Sequence, residues 1–238
     1  MSGDLIDTTE MYLRTVLELE EEGIVPMRAR IVERLQHSGP TVSQTVSRME
    51  RDGLLEVLKD RSLSLTETGR AKAIEVMRKH RLAERLLADV VGLDMAYVHE
   101  EACRWEHVMS ERVERRLMAL LDGPRYSPYG TPIPGMDAIG GPQVGAESFK
   151  GMNLLDASVQ DRDASFTVRL LPEVIQADQE LIETLSSAGV LNGARVTVAP
   201  SETGEQRVLV TVTESGHSVD LDHVVAKAIR VDLEQDRV

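Results

Sequence analysis

The chain has 238 residues, enough for two or three domains, and a formal net charge of −13 at pH 7. It has no run of about 18 apolar residues, so the sequence predicts no membrane-spanning segment. The acidic N-terminus lacks the basic start and apolar core of a signal peptide, and the single cysteine, Cys103, excludes an intramolecular disulfide. We therefore expect a cytoplasmic protein in a reducing compartment.

The charge is distributed unevenly along the chain. Residues 28–72 carry nine basic and six acidic side chains, a local excess of +3. Residues 141–238 carry eight basic and sixteen acidic side chains, a local charge of −8. Because contacts to nucleic-acid phosphates need a basic face rather than a basic protein, the acidic total does not exclude DNA binding by the first region.

The first region predicts a helix-turn-helix. A helix is expected over residues 27–35 and a second over residues 39–51. Ser38 is a suitable N-cap for the second helix, and Pro40 lies in its first turn, where the missing N–H costs nothing. Gly53 is well placed to end this helix.

The second helix has two different faces. An apolar stripe faces the core and consists of Val42, Val46 and Met49. A polar side recurs at the same spacing and consists of Pro40, Ser43, Gln44 and Ser47, flanked by Thr41, Arg48 and Arg51. Short polar side chains near a helix N-terminus suit the DNA major groove, where Gln can pair with adenine.

A β-hairpin is expected after this helix. Residues 54–58 and 62–65 can pair across the cationic tip at residues 59–61, which predicts a winged helix with its tip near phosphate. The alternative is a generic three-helix unit that packs against a partner protein.

The region from residue 76 to residue 121 predicts helices interrupted at Gly92. His80 and Glu84 share one helix face at spacing i, i+4. A second set falls at i, i+4, i+7 and i+8 and consists of His99, Cys103, Glu106 and His107. Imidazole, thiol and carboxylate groups on one face are typical of a metal site and are otherwise costly to bury.

The spacing of these donors favours two metal sites. About 10 Å of helix rise separates His99 from Glu106, whereas metal–ligand bonds are only about 2 Å long. Cys103, Glu106 and His107 can share one ion, and His99 can join His80 and Glu84 at another. The alternatives are that Cys103 is a small buried apolar residue and that the histidines are surface or hydrogen-bonded residues.

The same helical region carries more apolar surface than one short segment can bury, which predicts a helix-mediated dimer. The apolar residues are Leu82, Leu86, Leu87, Val90, Val91, Trp105, Val108, Met109, Val113 and Leu117. A two-fold dimer would present two recognition helices to a palindromic site on DNA.

Three domains and a linker are expected from these patterns, within an α+β fold class. Their ranges are 1–75 for a winged-helix domain, 76–140 for a helical dimerisation domain, 141–160 for a linker and 161–238 for a small β-barrel. The Pro- and Gly-rich stretch at residues 123–145 predicts a linker or extended loop. In the barrel, strands are expected over residues 165–170, 194–199, 206–212 and 228–233 and a short helix over residues 178–188.

Six runs of sequence, in this order, resemble the diphtheria toxin repressor family of iron-dependent regulators. The runs are DTTEMYLRT (7–15), RAR (28–30), SGPTVSQTV (38–46), RMERDGL (48–54), MRKHRLAERLL (77–87) and EACRWEHVMS (101–110). The resemblance is very specific over about the first 140 residues. It implies a dimeric repressor, not an enzyme, that binds palindromic operators when metal-loaded and controls iron uptake and homeostasis genes. It also implies an SH3-like C-terminal domain.

The resemblance further implies the ligands and the DNA contacts. The primary metal site would use Met11, Cys103, Glu106 and His107. The ancillary site would use His80, Glu84, His99, Glu173 and Gln176, the last two supplied by the C-terminal domain. The DNA contacts would be Arg28, Ser38, Pro40, Thr41, Ser43, Gln44, Arg48 and Arg51.

Sulfur donors from Met11 and Cys103 favour Fe(II) or later metals over Mg, Ca and Mn. We expect Fe(II) in the cell, with Co, Ni, Mn or Zn able to substitute in vitro. Three other interpretations remain open: a manganese-responsive regulator of the same family, a DNA-binding protein whose donor residues are merely structural, and a metalloenzyme. The last needs an open coordination position and a substrate cleft.

Overall fold

The computed structural model describes residues 7–143, 151–160, 164–202 and 207–234. The chain divides into two compact units. Unit 1 consists of residues 1–86, 101–125 and 133–144, and unit 2 consists of residues 87–100, 126–132 and 145–238. Among the described residues, no helix is both long and apolar enough to cross a membrane.

Unit 1 begins with a winged helix. Its elements are α1 (Thr8–Glu21), α2 (Arg28–Leu35), α3 (Gly39–Arg51), β1 (Leu55–Val57) and β2 (Leu63–Leu65). The two strands are antiparallel, with Leu55 opposite Leu65. The fold predicted from the sequence for this region is confirmed.

The bounds of α3 follow from local chemistry. The Ser38 hydroxyl accepts a hydrogen bond from the backbone N–H of Thr41, which satisfies one of the free donors of the first turn. At the other end, Gly53 has φ +71°, a left-handed conformation that terminates helices and favours glycine. The helix therefore spans residues 39–51, as the sequence predicts.

An apolar core, named here the winged-helix core, joins α1, α2, α3, the hairpin and the helix that follows. Its buried residues are Tyr12, Leu13, Val16, Leu17, Ile31, Val42, Val46, Met49, Leu54, Leu55, Leu63, Leu65, Ala73 and Met77. The predicted apolar stripe of α3 lies entirely within this core.

The rest of unit 1 is built on α4 (Glu67–Leu86) and α6 (Glu111–Leu120). Residue 69 must be glycine, because a Cβ there would lie 1.8 Å from the carbonyl oxygen of Leu54. A 3₁₀ helix, Met136–Ile139, packs in a small apolar core with Leu82 and Ile133. Part of the predicted Pro- and Gly-rich loop is thus folded, since its few large apolar side chains are buried.

Helix α5 spans Met95–Trp105 and follows a π-helix, Leu87–Val91, and the predicted interruption at Gly92. The sequence placed all four donors from His99 to His107 on one helix, which is wrong at the end of α5. The N–H of Glu106 still bonds to the carbonyl oxygen of Ala102, at 3.0 Å. His107 follows in a turn, where the next two N–H groups both bond to Trp105 at 3.2 Å.

Unit 2 contains a six-stranded antiparallel sheet. Its strands are β3 (Met152–Asn153), β4 (Ser165–Leu170), β5 (Arg195–Pro200), β6 (Val208–Val212), β7 (Ser218–Leu221) and β8 (Arg230–Leu233). Their order across the sheet is β3-β8-β4-β5-β6-β7. The four predicted strands are present as β4, β5, β6 and β8, and residue 206 lies outside the described residues. The predicted start of the last strand at residue 228 is wrong, because Ala228 ends a short helix and β8 begins at Arg230.

Short helices connect these strands. They are α7 (Leu154–Ala157), α8 (Glu173–Gln176), α9 (Gln179–Ala188) and α10 (His223–Ala228). Strand β3 and helix α7 fall inside the range 141–160 that the sequence predicts as a linker, because a two-residue strand leaves no periodic pattern. The predicted helix over residues 178–188 is α9, capped by Asp178.

Most of the segment 126–132 is buried within unit 2 and does not form an exposed linker. Ser127, Tyr129 and Thr131 are buried, and the Tyr129 hydroxyl donates to the carbonyl oxygen of Met95 at 2.8 Å. The backbone of Arg169 approaches so closely that a Cβ on Gly130, whose φ is +88°, would lie 2.0 Å from its carbonyl oxygen. This segment therefore belongs to the interior of unit 2 despite its linker-like composition.

Candidate metal centre and nucleic-acid interface

The outer side of α3, named here the reading face, is exposed over its whole length. Its residues are Ser38, Pro40, Thr41, Ser43, Gln44, Arg48 and Arg51. All seven predicted DNA contacts on and beside α3 are therefore accessible, whereas Val42, Val46 and Met49 are fully buried. Arg28, the eighth, is half-buried at the start of α2. The arrangement leaves polar groups facing outward for base edges and phosphates.

The hairpin tip adds two exposed cations, Lys59 and Arg61. Between them, the Asp60 carboxylate accepts hydrogen bonds from the hydroxyl of Ser62, at 2.6 Å, and from its backbone N–H, at 3.1 Å. These bonds hold the pKa of Asp60 below its ordinary value. The tip is thus a structured turn that presents positive charge beside the reading face.

A group of ionisable side chains in unit 1, named here the donor cluster, comes from α1, from α4, from α5 and from the turn that follows α5. Its residues are Arg14, His80, Glu84, Cys103 and Glu106, of which all but the half-buried Cys103 are buried. His80 and Glu84 are fully buried on α4, and the His80 Nε2 atom lies 2.9 Å from the Glu84 carboxylate. The predicted pairing of these two residues on one helix face is present.

Glu106 is the centre of the donor cluster. Its Oε2 atom lies 2.7 Å from His80 Nδ1 and 2.5 Å from Arg14 Nη1. The same Arg14 nitrogen lies 2.9 Å from His80 Nδ1 and 3.4 Å from the Cys103 sulfur. One guanidinium nitrogen therefore contacts three of the side chains that the sequence predicts as metal ligands.

The charges of the donor cluster shift its pKa values. Burial favours the neutral form of Glu106, but the charge of Arg14 and the contacts of His80 outweigh it and hold the pKa of Glu106 below its ordinary value. Burial also lowers the pKa of His80, and Arg14 lowers it further. The negative charges of Glu84 and Cys103 outweigh both and raise the pKa of His80 well above its ordinary value.

The His107 side chain contacts the first turn of α1. Its Nδ1 atom lies 2.8 Å from the Glu10 carboxylate, and its Nε2 atom lies 3.3 Å from Glu106 Oε1. Met11, the neighbour of Glu10, is half-buried and packs against the winged-helix core. Among the described residues, no closely spaced group of three or more His, Cys, Asp or Glu donor atoms includes Glu106 or His107.

Unit 2 holds the remaining predicted ligands. His99 Nδ1 lies 3.4 Å from the Glu173 carboxylate, with both side chains buried. Gln176 follows one turn later on α8 and is 2% exposed. Its Nε2 donates to the carbonyl oxygen of Leu171, whereas its buried Oε1 has no hydrogen-bond partner in the described part of the chain. A buried amide oxygen without a hydrogen-bond partner, one turn after a buried Glu on the same helix, suits a cation ligand.

Sequence reasoning missed Arg14 and Glu10, which contact the predicted ligands. Both lie on α1 within one turn of Met11. The signal that could have found Arg14 is its i, i+3 relation to Met11. That an arginine side chain reaches from α1 to residues 66 and 92 positions later is a tertiary fact that no local pattern contains.

Three protein-family models match the chain. Residues 4–63 match the N-terminal DNA binding domain of iron dependent repressors, and residues 66–135 match the metal binding and dimerisation domain of the same repressors. Residues 149–233 match the diphtheria toxin repressor SH3 domain. Together these matches account for most of the chain.

Curated relatives are similar over nearly the full length. The iron-dependent repressor IdeR of Mycobacterium tuberculosis is 56% identical over 232 residues, which are 97% of this chain and 99% of the relative. The diphtheria toxin repressor of Corynebacterium diphtheriae is 49% identical over 229 residues, 96% of this chain and 98% of the relative.

Solved structures share the fold. A manganese-dependent transcriptional repressor in complex with manganese is 26% identical, with a TM-score of 0.80, and the match covers 95% of this chain and all of the other. The structure of IdeR from T. acidophilum is 24% identical, with a TM-score of 0.72, over 96% of this chain and 99% of the other.

Proposed function

This chain belongs to the iron-dependent repressor family, and from that premise we propose that it is an Fe(II)-dependent repressor that binds palindromic operators as a homodimer. The family is one of metal-dependent transcriptional repressors and not of enzymes, so the metalloenzyme interpretation is abandoned. The genes under control would be those of iron uptake and homeostasis, and the protein would act in the cytoplasm.

The observation that carries the proposal is the dual role of α1. This helix packs in the winged-helix core, beneath the reading face, and it also supplies Arg14 to the donor cluster. The contact between Glu10 and His107 brings the residue beside Met11 next to a second proposed ligand. Any change of charge at the donor cluster therefore acts directly on the helix that supports the DNA-reading unit.

For the primary site we propose Met11, Cys103, Glu106 and His107 as ligands. A thioether, a thiolate, a carboxylate and an imidazole form a mixed set that suits Fe(II) and later divalent metals better than Mg or Ca. Glu10 would orient the His107 ring through Nδ1 and leave Nε2 as the ligand atom. The bound metal would supply a positive charge shared between α1 and the end of α5.

For the ancillary site we propose two groups of ligands. His80 and Glu84 come from unit 1, and His99, Glu173 and Gln176 come from unit 2. The buried pairs within each unit and the unsatisfied Gln176 oxygen support this assignment.

We propose that the DNA contacts are Arg28 and the reading face. Gln44 is placed to read a base edge in the major groove, while Arg28, Arg48 and Arg51 neutralise phosphates. Lys59 and Arg61 of the hairpin tip would add phosphate contacts. Met11, Cys103, Glu106 and His107 would together hold a metal between α1 and the end of α5, and this link would shift the population toward the DNA-competent state.

Exposed apolar side chains support a homodimer. In unit 1 they include Val108, Val113 and Leu120, which are 60%, 45% and 61% exposed. In unit 2 they include Val90, Val91 and Tyr97. Val90, Val91, Val108 and Val113 are among the residues that the sequence predicts for the dimer surface, and their exposure leaves them available for it. A two-fold dimer would present two copies of α3 to successive half-sites.

Iron and manganese are each supported as the activating metal by different observations. The curated relatives are named iron-dependent, whereas a solved structure at 26% identity is a manganese-dependent repressor. The sulfur atoms of Met11 and Cys103 favour Fe(II). Co, Ni, Mn and Zn would substitute in vitro to different extents.

The test is an anaerobic gel-shift titration on a palindromic operator with Fe(II), Mn(II) or chelator. We expect binding with Fe(II) at lower metal concentrations than with Mn(II) and none with chelator. Stronger activation by Mn(II) would favour the manganese-responsive alternative, and equal binding under all three conditions would reduce the donor cluster to a structural role.

A further inference from the structure

Arg14 contacts the proposed primary ligands as a cation would. Its Nη1 atom lies within hydrogen-bond distance of the Glu106 carboxylate and 3.4 Å from the Cys103 sulfur. A divalent ion bound to the same two atoms would lie about 2.0–2.3 Å from each of them. The guanidinium nitrogen and the ion would therefore need nearly the same position.

The charge of Arg14 already offsets the carboxylates around it. Its Nε atom lies 2.8 Å from Glu18, in an ion pair whose side chains are both buried, and its Nη1 atom pairs with Glu106. Two like charges in such a poorly solvated place repel strongly, since water does not screen them. Entry of a divalent cation and retention of this guanidinium at Glu106 thus oppose each other.

We propose that Arg14 is an internal competitor of the metal ion, which holds Glu106 and Cys103 in the metal-free protein and must leave them before the primary site fills. The inference rests on the proposed function, because it takes the ligands of that site as given. Arg14 thereby sets the metal concentration at which the protein responds, and its withdrawal is the event that changes the attachment of α1.

The competition also explains how Glu106 is oriented. One of its oxygens points to Arg14 and His80, and the other lies 3.3 Å from His107. Glu106 is therefore shared between the guanidinium and two imidazoles. Release of Arg14 would free Oε2 to join the Cys103 sulfur and the His107 ring around one ion.

The experiment measures metal affinity without DNA. Co(II) is titrated anaerobically into the full-length apoprotein, and the thiolate-to-Co(II) charge-transfer absorption reports binding at Cys103. Wild type is compared with Arg14→Met and Arg14→Lys. Arg34→Met is the matched control, because Arg34 forms another largely buried ion pair in the same unit, with Glu22.

We expect Arg14→Met to tighten Co(II) binding at least tenfold, Arg14→Lys to stay within about threefold of wild type, and Arg34→Met to change nothing. A residue that only positions the ligands would give the opposite result, with weaker binding in Arg14→Met and in Arg14→Lys alike. Unchanged or weaker binding by folded Arg14→Met overturns the proposal.

A second measurement does not depend on the stability of the Met variant. Nitrogen NMR of the arginine side chains in the wild type, assigned with Arg14→Lys, follows the Arg14 signal during Zn(II) titration. We expect the signal of a restrained, ion-paired guanidinium to be replaced by that of a mobile one. If it persists in the loaded protein, the proposal is wrong while the metal site stands. If wild type gives no charge-transfer band, the primary site itself is wrong, and the proposal fails with it.

Discussion

The winged-helix core and the donor cluster lie in the same unit, yet opposite kinds of side chain fill them. The core is apolar apart from one tyrosine hydroxyl, and its burial favours folding. The donor cluster buries two carboxylates, an imidazole and a guanidinium, whose removal from water costs free energy that mutual attraction only partly returns. The comparison teaches that the core accounts for the fold, whereas the charged interior indicates function.

The largest expected effect on stability comes from replacing only one partner of a buried ion pair. Arg78 and Glu114 pair at 2.5 Å with both side chains buried. Glu114→Leu leaves the arginine uncompensated and should lower the free energy of unfolding by about 3–5 kcal/mol. Urea denaturation measures this loss.

The double variant Arg78→Met/Glu114→Leu should recover most of that stability, since apolar replacements of buried pairs are often neutral or stabilising. Glu111→Leu on the exposed side of α6 is the control, with a change within about 0.5 kcal/mol. A double variant as unstable as the single one would show that this buried charge pair, which lies outside the donor cluster, is itself required for folding, and so would contradict the conclusion that the apolar core accounts for the fold.

The apolar core is tested by Met49→Ala. Met49 is fully buried on α3, so the substitution should create a cavity and lower the free energy of unfolding by about 2–5 kcal/mol. Ser47→Ala, on the exposed side of the same helix, should change it by less than about 0.5 kcal/mol. Equal effects of the two substitutions in thermal or urea unfolding would contradict the assignment of the core face.

The reading face should respond in operator affinity and not in stability. Gln44→Ala removes an exposed side chain of α3 that we propose makes a bidentate contact to adenine, and it should weaken specific binding by about 1–3 kcal/mol. Fluorescence anisotropy on the intact operator and on operators with single base changes measures the effect. Loss of affinity without loss of discrimination at any base pair would assign Gln44 to the phosphate backbone instead.

The smallest effect is expected at the hairpin tip, where charge is exposed. The pKa of Asp60 is lowered by hydrogen bonds from the Ser62 hydroxyl and N–H. Its contribution to stability is therefore present above the pKa of the unfolded chain and is lost as pH falls through the lower, folded pKa. The Ser62 amide shift in NMR should follow this titration, and Asp60→Asn should abolish it. A Ser62 amide that titrates unchanged in Asp60→Asn would place the hydrogen-bonded carboxylate elsewhere.

The sequence predicted those parts of the molecule that depend on local chemistry. Helix α3 has the predicted bounds because Ser38, Pro40 and Gly53 act within one or two turns. Strands β4 and β5 agree with their alternating pattern within one residue. His80 and Glu84 are paired because helix spacing alone brings them together.

The parts that sequence could not supply depend on contacts between distant segments. The burial of residues 126–132 requires the backbone of Arg169 at Gly130, which composition does not reveal. Helix α5 ends at Trp105, so His107 lies in a turn and not on the helix face that its spacing predicts. The insertion of Arg14 among the donors depends on packing between α1 and α4, so the ligand motif itself gives no sign of this buried positive charge.

The most direct measurement of the central claim is the affinity for a fluorescent operator during anaerobic Fe(II) titration, for wild type, Glu106→Gln and the exposed control Glu111→Gln. We predict that wild type and Glu111→Gln bind only when loaded and release the operator on addition of chelator, whereas Glu106→Gln remains folded but loses the response. Full Fe(II)-dependent binding by Glu106→Gln, or wild-type binding that ignores chelator, would contradict the account.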